Sequence, residues 1–485
     1  MRGCKVGRMS EAGKIQPLNP GDMAQRIAAL ERQNAELTAT VAALRAELER
    51  LKRRQQRQAA PFSKETRVAA PKRPGRKPGE GVFRHRAAPA PELGNEPPIE
   101  VPVGLTACPR CGGALVEERV DFASVTDLPA QPRAMVRHYR VSVCRCQACG
   151  RAVRGRHLDL APDQLGATAH RVGPRLLAAG QALHYGYGVP LRRVPAILGE
   201  LTGARVTQGA LVHDALRRAS TGGAIDQSYQ DLRKAIPEAA SIHTDDSGWS
   251  VHGTPAYLMV FETETATVYQ IRPQHRNEEV REVVPAHYAG VLVTDRGRSY
   301  DARELAEVKQ QKCLAHLQRS ISAVLETKWG RGRSLGLGLR AIFAEALGVW
   351  QDVHAGAVSD TSVEAAALGT RLSEALRPRT LPDPDNQRLL NELGWHHARG
   401  NLLRFLADPR IEPTNNRAER ALRPAVIARK VSQCSKNQRG ADAFAAFTSV
   451  TRTAARSGGS VIDDLEQRFR SPPPSTDLPP LPHGR

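Results

Sequence analysis

Three acidic residues stand far apart in this chain, each at a place where a fold presents side chains: Asp245, Asp295 and Glu419. Asp245 lies in Ser241-Ile-His-Thr-Asp-Asp-Ser-Gly-Trp-Ser-Val-His-Gly, a β-rich run with Gly253 at its turn. Asp295 closes the apolar run Gly290-Val-Leu-Val-Thr-Asp. Glu419 belongs to Asn415-Asn-Arg-Ala-Glu-Arg-Ala-Leu-Arg-Pro424, where Asn415 or Asn416 caps a helix and Glu419 sits in its early turns. Carboxylates brought together repel, and a hard divalent cation is the usual remedy. Taken singly, each acid reads as a surface or capping carboxylate; only the joint pattern points to metal-assisted chemistry.

The cysteines form a second chemical group. Five of the eight fall between Cys108 and Cys149. Cys108-Pro-Arg-Cys111-Gly-Gly and Cys146-Gln-Ala-Cys149-Gly are two C-x2-C knuckles, each followed by a glycine that lets backbone amides face the sulfur. Four thiolates at two such corners suit one structural Zn²⁺ with a closed shell, iron being the competitor. The site would hold a hairpin-like segment around Val136–Val143, with Cys144 a bystander.

The elements that must position the acids can be read from periodicity. After the Asp245 run come Ala256-Tyr-Leu-Met-Val-Phe-Glu and Ala266-Thr-Val-Tyr-Gln-Ile, an antiparallel meander, and then the strand that ends on Asp295. That order matches a ribonuclease-H-like sheet, in which the first and fourth strands lie side by side and bring Asp245 to Asp295. Side chains alternate along a strand, so Asp246 points away from Asp245 while His243 shares its face. His243 reads as a core histidine, with a phosphate contact as the alternative. Between about Arg319 and Asp408 lies an Ala-, Leu- and Arg-rich helical insertion.

Upstream, Val172–His184, Leu191–Leu201 and Thr207–Arg218 read as three helices, with Gly203 in the last turn. The final pair resembles a helix-turn-helix, and Gln208, His213, Arg217 and Arg218 are its candidate DNA contacts. A plain helical bundle gives the same pattern. From Met23 to Leu51 the residues Ile27, Leu30, Leu37, Val41, Leu44, Leu48 and Leu51 follow a heptad, with Asn34 at a polar a position that favours a parallel pair. A basic arm follows, Pro71-Lys-Arg73-Pro-Gly-Arg76-Lys77-Pro-Gly, either a minor-groove strand or a solvated linker.

Lys and Arg number 70 against 50 Asp and Glu, a formal charge of +20 in 485 residues, which suits a polyanionic partner. No secretory h-region and no run of 18 apolar residues is present, so the expected location is cytoplasmic, nucleoid-associated in a bacterium.

The motifs His243-Thr-Asp245, the Asp295 strand end, Cys313-Leu-Ala-His316 and Asn415-Asn-Arg-Ala-Glu-Arg-Ala-Leu-Arg-Pro together resemble the transposase family of insertion sequence 66. The resemblance runs over most of the chain, zipper, basic linker and knuckles included. It implies a catalytic triad of Asp245, Asp295 and Glu419 binding two Mg²⁺ ions, and double-stranded DNA (the element's own ends and a target) as substrate. Arg417, Arg420 and Arg423 then become candidate phosphate contacts beside His316, with helix salt bridges as the alternative. The chain departs from the family at Asp245-Asp246-Ser247, where Asp-Glu-Thr is usual, at Arg296-Gly-Arg, and in the segment after Arg429-Lys430.

The expected architecture is multidomain, α/β plus α. A coiled coil at 20–58 makes a homodimer, and a basic disordered linker spans 59–100. A zinc-binding module at 101–158 and a helix-turn-helix-like segment at 165–222 follow. The ribonuclease-H-like catalytic domain takes 236–318 and 409–450 around the 319–408 insertion, followed by a C-terminal helix at 451–469 and a disordered tail at 470–485. Three rival readings remain at this stage: a sequence-specific DNA-binding regulator, a ribonuclease-H-like nuclease or resolvase that hydrolyses but does not join strands, and a decayed transposase without cleavage activity.

Overall fold

In the computed structural model, residues 25–38, 40–41, 107–116, 134–154 and 172–470 are described. The basic arm with Arg73, Arg76 and Lys77, the heptads from Leu44 to Leu51 and the tail from 471 onward lie outside those residues. The chain divides into two units, Met1–Lys77 and Pro78–Arg485. In the first, residues 25–38 form helix α1, and its heptad positions Ile27, Leu30 and Leu37 are all more than half exposed.

The second unit begins with two short antiparallel strands, β1 (Val143–Arg145) and β2 (Ala152–Arg154), which flank the second cysteine knuckle. Four helices follow: α2 (Pro174–Gln181, continued by a π turn at Ala182–Gly186), α3 (Val194–Thr202), α4 (Gln208–Arg218) and α5 (Ala224–Ala235). Pro195 is tolerated because it falls in the first turn of α3, where a missing N–H orphans nothing. Gly203 ends α3 at a φ of +69°, and Thr207 caps α4 by accepting the Ala210 N–H at 3.1 Å. Val194, Leu198, Val206 and Leu211 close a small core among these helices.

The sheet is built next. Strands β3 (Ser241–Val251), β4 (Thr254–Glu262) and β5 (Thr267–Arg272) pair antiparallel. The β3–β4 turn is His252-Gly253, both at positive φ (52° and 78°), as a tight hairpin requires. Helix α6 (Asn277–Arg281) leads to β6 (Val291–Thr294) and β7 (Lys309–Lys312), both parallel to β3. The order β5-β4-β3-β6-β7 puts the fourth strand of the domain beside the first, as the sequence implied. Strand β7 was not anticipated. Its residues are Lys-Gln-Gln-Lys, and the last three are buried.

Five helices then form a bundle: α7 (Leu314–Glu326), α8 (Ser334–His354), α9 (Ser362–Ala375), α10 (Pro384–Ala398) and α11 (Arg404–Ala407). Leu317, Ile321, Phe343, Leu372, Leu393 and Phe405 share one core with Val291 and Val293 of the sheet. The boundary expected at 318/319 therefore falls inside α7, because one helix lies against both the sheet and the bundle. The chain returns through α12 (Asn416–Ser432), α13 (Gln438–Arg456) and α14 (Val461–Phe469). The C-terminal helix expected at 451–469 is instead the end of α13 and a separate α14, broken at the Gly458-Gly459 pair. Helix α12 packs Ala418, Ala421 and Leu422 on Trp249, Leu258 and Val260 of the sheet.

Candidate active site

Asp245 and Asp295 emerge at the seam between β3 and β6. The parallel register pairs Ser241 with Val291, Ile242 with Leu292 and His243 with Val293, so both acids stand two residues beyond the last pair. Neighbouring strands lie about 4.8 Å apart, which sets the two acids side by side. Asp245 is opposite Val260, whose side chain belongs to the face that carries α12. The Asp246 N–H donates to Asp245 Oδ1 at 2.9 Å, and the Gly297 N–H donates to Asp295 Oδ1 at 2.7 Å. A Cβ on Gly297 would sit 3.0 Å from that same Oδ1 and 3.2 Å from the Tyr300 ring.

Glu419 arrives on the first turn of α12, and a short run of hydrogen bonds ties that turn to both strands. Asn415 occupies the cap position, but its side chain does not cap. Its Nδ2 donates to the Thr244 carbonyl at 2.8 Å, one residue from Asp245. Its own N–H donates to Cys313 Sγ at 3.1 Å, and the Cys313 N–H donates to the Thr294 carbonyl at 2.8 Å, one residue from Asp295. Asn415 and Cys313 are fully buried. Asp245 and Asp295 are thus each one residue from a single strut, and the Glu419 N–H donates to the Asn415 carbonyl of that strut at 3.1 Å.

Burial, and then the charges of Asp246, Asp295 and Glu419, push the Asp245 carboxyl up to about 7, against the pull of the Asp246 amide. Glu419 Oε1 faces Arg319 Nη2 at 3.4 Å and His316 Nδ1 at 3.9 Å. Burial, followed by the Arg319 charge, holds the His316 ring below its ordinary value. Among the described residues, no three His, Cys, Asp or Glu side chains stand close enough to hold one metal ion. The donor set still suits a hard cation: three carboxylates, one of them driven toward neutrality by burial and then by its acidic neighbours. His243 is fully buried with neither ring nitrogen partnered, and burial drives it down to about 4. It is a neutral core histidine.

A family model, "Transposase IS66 family", matches residues 170–443, more than half of the chain. The chain belongs to that family. No curated protein matches it. The matched region holds all three acids, the α3–α4 pair and the helical bundle, and leaves out α1 and the cysteine knuckles.

Around the acids this IS66-family chain carries groups that its sequence did not advertise. Lys312 is fully buried, with Nζ 2.8 Å from Asp301 Oδ1 and 3.1 Å from Thr294 Oγ1. On the opposite face of β3, Asp246 Oδ1 meets His275 Nδ1 at 3.0 Å, and His275 Nε2 meets Ser299 Oγ at 3.2 Å. That chain anchors Asp246, whose amide in turn orients the Asp245 carboxylate. Asp246 does point away from Asp245, as strand alternation requires.

The other candidate residues are placed as follows. Arg420 and Arg423 are exposed on α12, whereas Arg417 is turned back onto Glu412 at 2.7 Å. On α4, Gln208 and His213 are exposed. Arg217 is exposed and bonds Asp214 at 3.1 Å. Arg218 is mostly covered, bonded to Asp214 at 2.8 Å and stacked 3.7 Å above the Phe469 ring, so its charge serves packing. The two knuckles have one geometry. Gly112 N–H donates to the Cys108 carbonyl and Gly150 N–H to the Cys146 carbonyl, at 2.8 and 2.9 Å, and both glycines have a φ of +71°. Amides of Arg110 and Cys111 lower the Cys108 thiol, and those of Cys149 and Ala148 lower Cys146. Cys111 and Cys149 are exposed beside them.

Proposed function

We propose that this chain is a DNA transposase that cuts and joins strands of its own insertion sequence, with Asp245, Asp295 and Glu419 as the catalytic, Mg²⁺-binding acids. The observation that carries this reading is geometric: the parallel β3–β6 register brings Asp245 and Asp295 out at equivalent positions, and the Asn415–Cys313 bonds tie the first turn of α12, with Glu419, to both strands. Two Mg²⁺ ions there would supply activation of the attacking oxygen and charge stabilisation of the leaving oxygen at phosphorus. The residues do the rest. The Asp246 and Gly297 amides fix the two aspartates, and the Asn415–Cys313 strut fixes the helix that carries Glu419. Arg319, 3.4 Å from Glu419, and His316 beside it would supply positive charge and a hydrogen-bond donor for a phosphate at this site. The sheet order, an antiparallel meander followed by parallel strands, supports a ribonuclease-H-like reading of the domain.

Double-stranded DNA is the substrate of this proposal, as terminal repeats and as target. Arg420 and Arg423 track its backbone beside the acids, Gln208 and Arg217 contact it from α4, and the arm with Arg73, Arg76 and Lys77 follows it. One structural Zn²⁺ is held by Cys108, Cys111, Cys146 and Cys149. The bare stripe of α1 supports a homodimer through the heptads, which suits an enzyme that must gather two DNA ends. The reaction takes place in the cytoplasm, at the nucleoid.

The test is cleavage and strand joining on DNA carrying the element's own ends, with Mg²⁺, with EDTA, and with Glu419→Gln. Metal-dependent products lost in the variant establish the triad. Tight binding with no cleavage under any metal refutes it and favours a regulator or a decayed enzyme.

A further inference from the structure

The chain has four tryptophans, and three are occupied. Trp249 is buried against Phe444, Trp350 Nε1 donates to the Pro409 and Ile411 carbonyls, and Trp395 lies under the Arg399 guanidinium at 3.6 Å. Trp329 is 82% exposed, and among the described residues it has no ring neighbour, no cation over its face and no hydrogen bond on Nε1. An indole carries a large apolar area and a flat π-face, so a bare one offers a surface on which another ring can stack.

The loop beneath it is firmly held. Lys328 Nζ lies 2.6 Å from Asp383 and 2.8 Å from Asp385, and Asn386 Nδ2 donates to the Gly332 carbonyl at 2.8 Å. Gly330, at a φ of +52°, turns the chain immediately after the indole into a 3-10 turn at Gly330–Arg333. The side chain is therefore presented by a fixed pedestal, ordered before any partner arrives.

Its surroundings select the partner. Lys328 is taken up by Asp383 and Asp385, and the loop's next residues are Arg331 and Arg333 with two glycines, not other large apolar side chains, so the loop itself offers no contiguous apolar centre of a protein interface. An aromatic face among cations fits a nucleobase and its phosphates. The loop also continues the helix that serves the acids: α7 brings His316 and Arg319 to Glu419, and Trp329 follows three residues after its end. A cleft of about 380 Å³ runs along α7, lined by Arg296 next to Asp295, by Ser320, Thr327 and Arg388, and by Asp385 and Glu392. Arg319 on α7 is 64% exposed, and Arg388 on the cleft wall is 74% exposed while bonded to Asp385. From His316 to the end of α7 is roughly 15 Å at 1.5 Å per residue, and with the three residues on to Trp329 the span is about five nucleotide steps at 3.4 Å each.

We propose that the Lys328–Arg333 loop is a DNA-stacking element, in which Trp329 stacks on an unstacked base of the strand held at the Asp245–Asp295–Glu419 site. The inference rests on the transposase reading of that site. Placing the stack about five nucleotides from the scissile phosphate gives the loop a role in setting where the strand lies, without contact with the reacting atoms.

The experiment uses the full chain and 60-base-pair duplexes from the end of its element, each with 2-aminopurine at one position near the cleavage point. Binding is followed by anisotropy and base unstacking by 2-aminopurine emission, with Ca²⁺ present to prevent cleavage. The parent chain should change the emission at one or two positions roughly five nucleotides from the cleaved bond. Trp329→Ala should lose that signal and bind roughly five- to a hundredfold more weakly, while Trp329→Phe retains both. Because the indole is exposed, the alanine variant should melt with the parent, which separates stacking from misfolding. Equal affinity and an unchanged emission profile in Trp329→Ala would overturn the stacking role and leave the transposase reading standing. No binding of the duplex by the parent chain would overturn both.

Discussion

Replacing Asp245 by Asn should make the metal-free protein more stable at about pH 8, although it destroys the proposed catalytic site. Burial, then Asp246, Asp295 and Glu419, carry this carboxyl from 3.8 to about 7 in the fold. An acid raised by folding gives stability that is intact below its unfolded value, near 4, and lost as pH rises to about 7. A displacement of that size corresponds to on the order of 4 kcal/mol, and partial solvent access to Asp245 reduces it to about 2 kcal/mol. For a catalytic region of this size, that is a rise of about 4–8 °C in melting temperature. Asparagine keeps the shape, and its Oδ1 still accepts the Asp246 N–H, so little else changes. The assay is thermal melting of parent and Asp245→Asn in EDTA across pH, repeated with Mg²⁺. The variant's advantage should be greatest at about pH 8 and close to nil at about pH 4, and Mg²⁺ should stabilise the parent alone. A variant that melts at or below the parent at about pH 8 in EDTA would refute the idea of an uncompensated acid cluster.

Asn415→Ala removes the buried bond to the Thr244 carbonyl and should cost about 1–3 kcal/mol, with strand cleavage reduced well beyond any change in DNA affinity, as cleavage and filter-binding assays on one preparation can compare. Lys312→Met leaves Asp301 without its cation and should destabilise the fold by about 3 kcal/mol in urea unfolding; pairing it with Asp301→Asn should recover most of that loss. Gly297→Ala crowds Asp295 Oδ1 and should weaken Mg²⁺ binding measured by calorimetry, with DNA affinity unaltered. Cys108→Ser should lower the zinc content measured by atomic absorption from about one atom per chain to near zero.

What could be read ahead of the fold depended on where each residue finds its partners. Strands β3 and β6 announce themselves because their apolar residues face cores on both sides, and their acids follow directly. The turns at Gly203 and Gly253 were equally legible, since a positive φ is a local demand. Strand β7 was invisible: Gln310 donates to the Tyr300 carbonyl, Gln311 to the Leu402 carbonyl, and Lys312 reaches Asp301. Those acceptors lie on other segments, so nothing in Lys-Gln-Gln-Lys itself signals burial. Asn415 was legible as a helix start for a good local reason, yet its amide spans 171 positions to Thr244. Arg218 read as a free cation because its aromatic cover, Phe469, is 251 positions away.

The same strut explains how the acids can be separated by a long insertion without losing their geometry. Cys313 and Asn415 are 102 positions apart and in contact at 3.1 Å, and the Leu314 N–H donates to the Pro413 carbonyl at 2.9 Å. The bundle between them leaves and re-enters the sheet at one point, so its ends are closed by bonds that belong to the site. Closing a longer loop costs only slowly more entropy. The bundle is therefore free to carry an accessory surface such as the Trp329 loop, while Asp245, Asp295 and Glu419 keep positions set by the β3–β6 register and by two buried side chains.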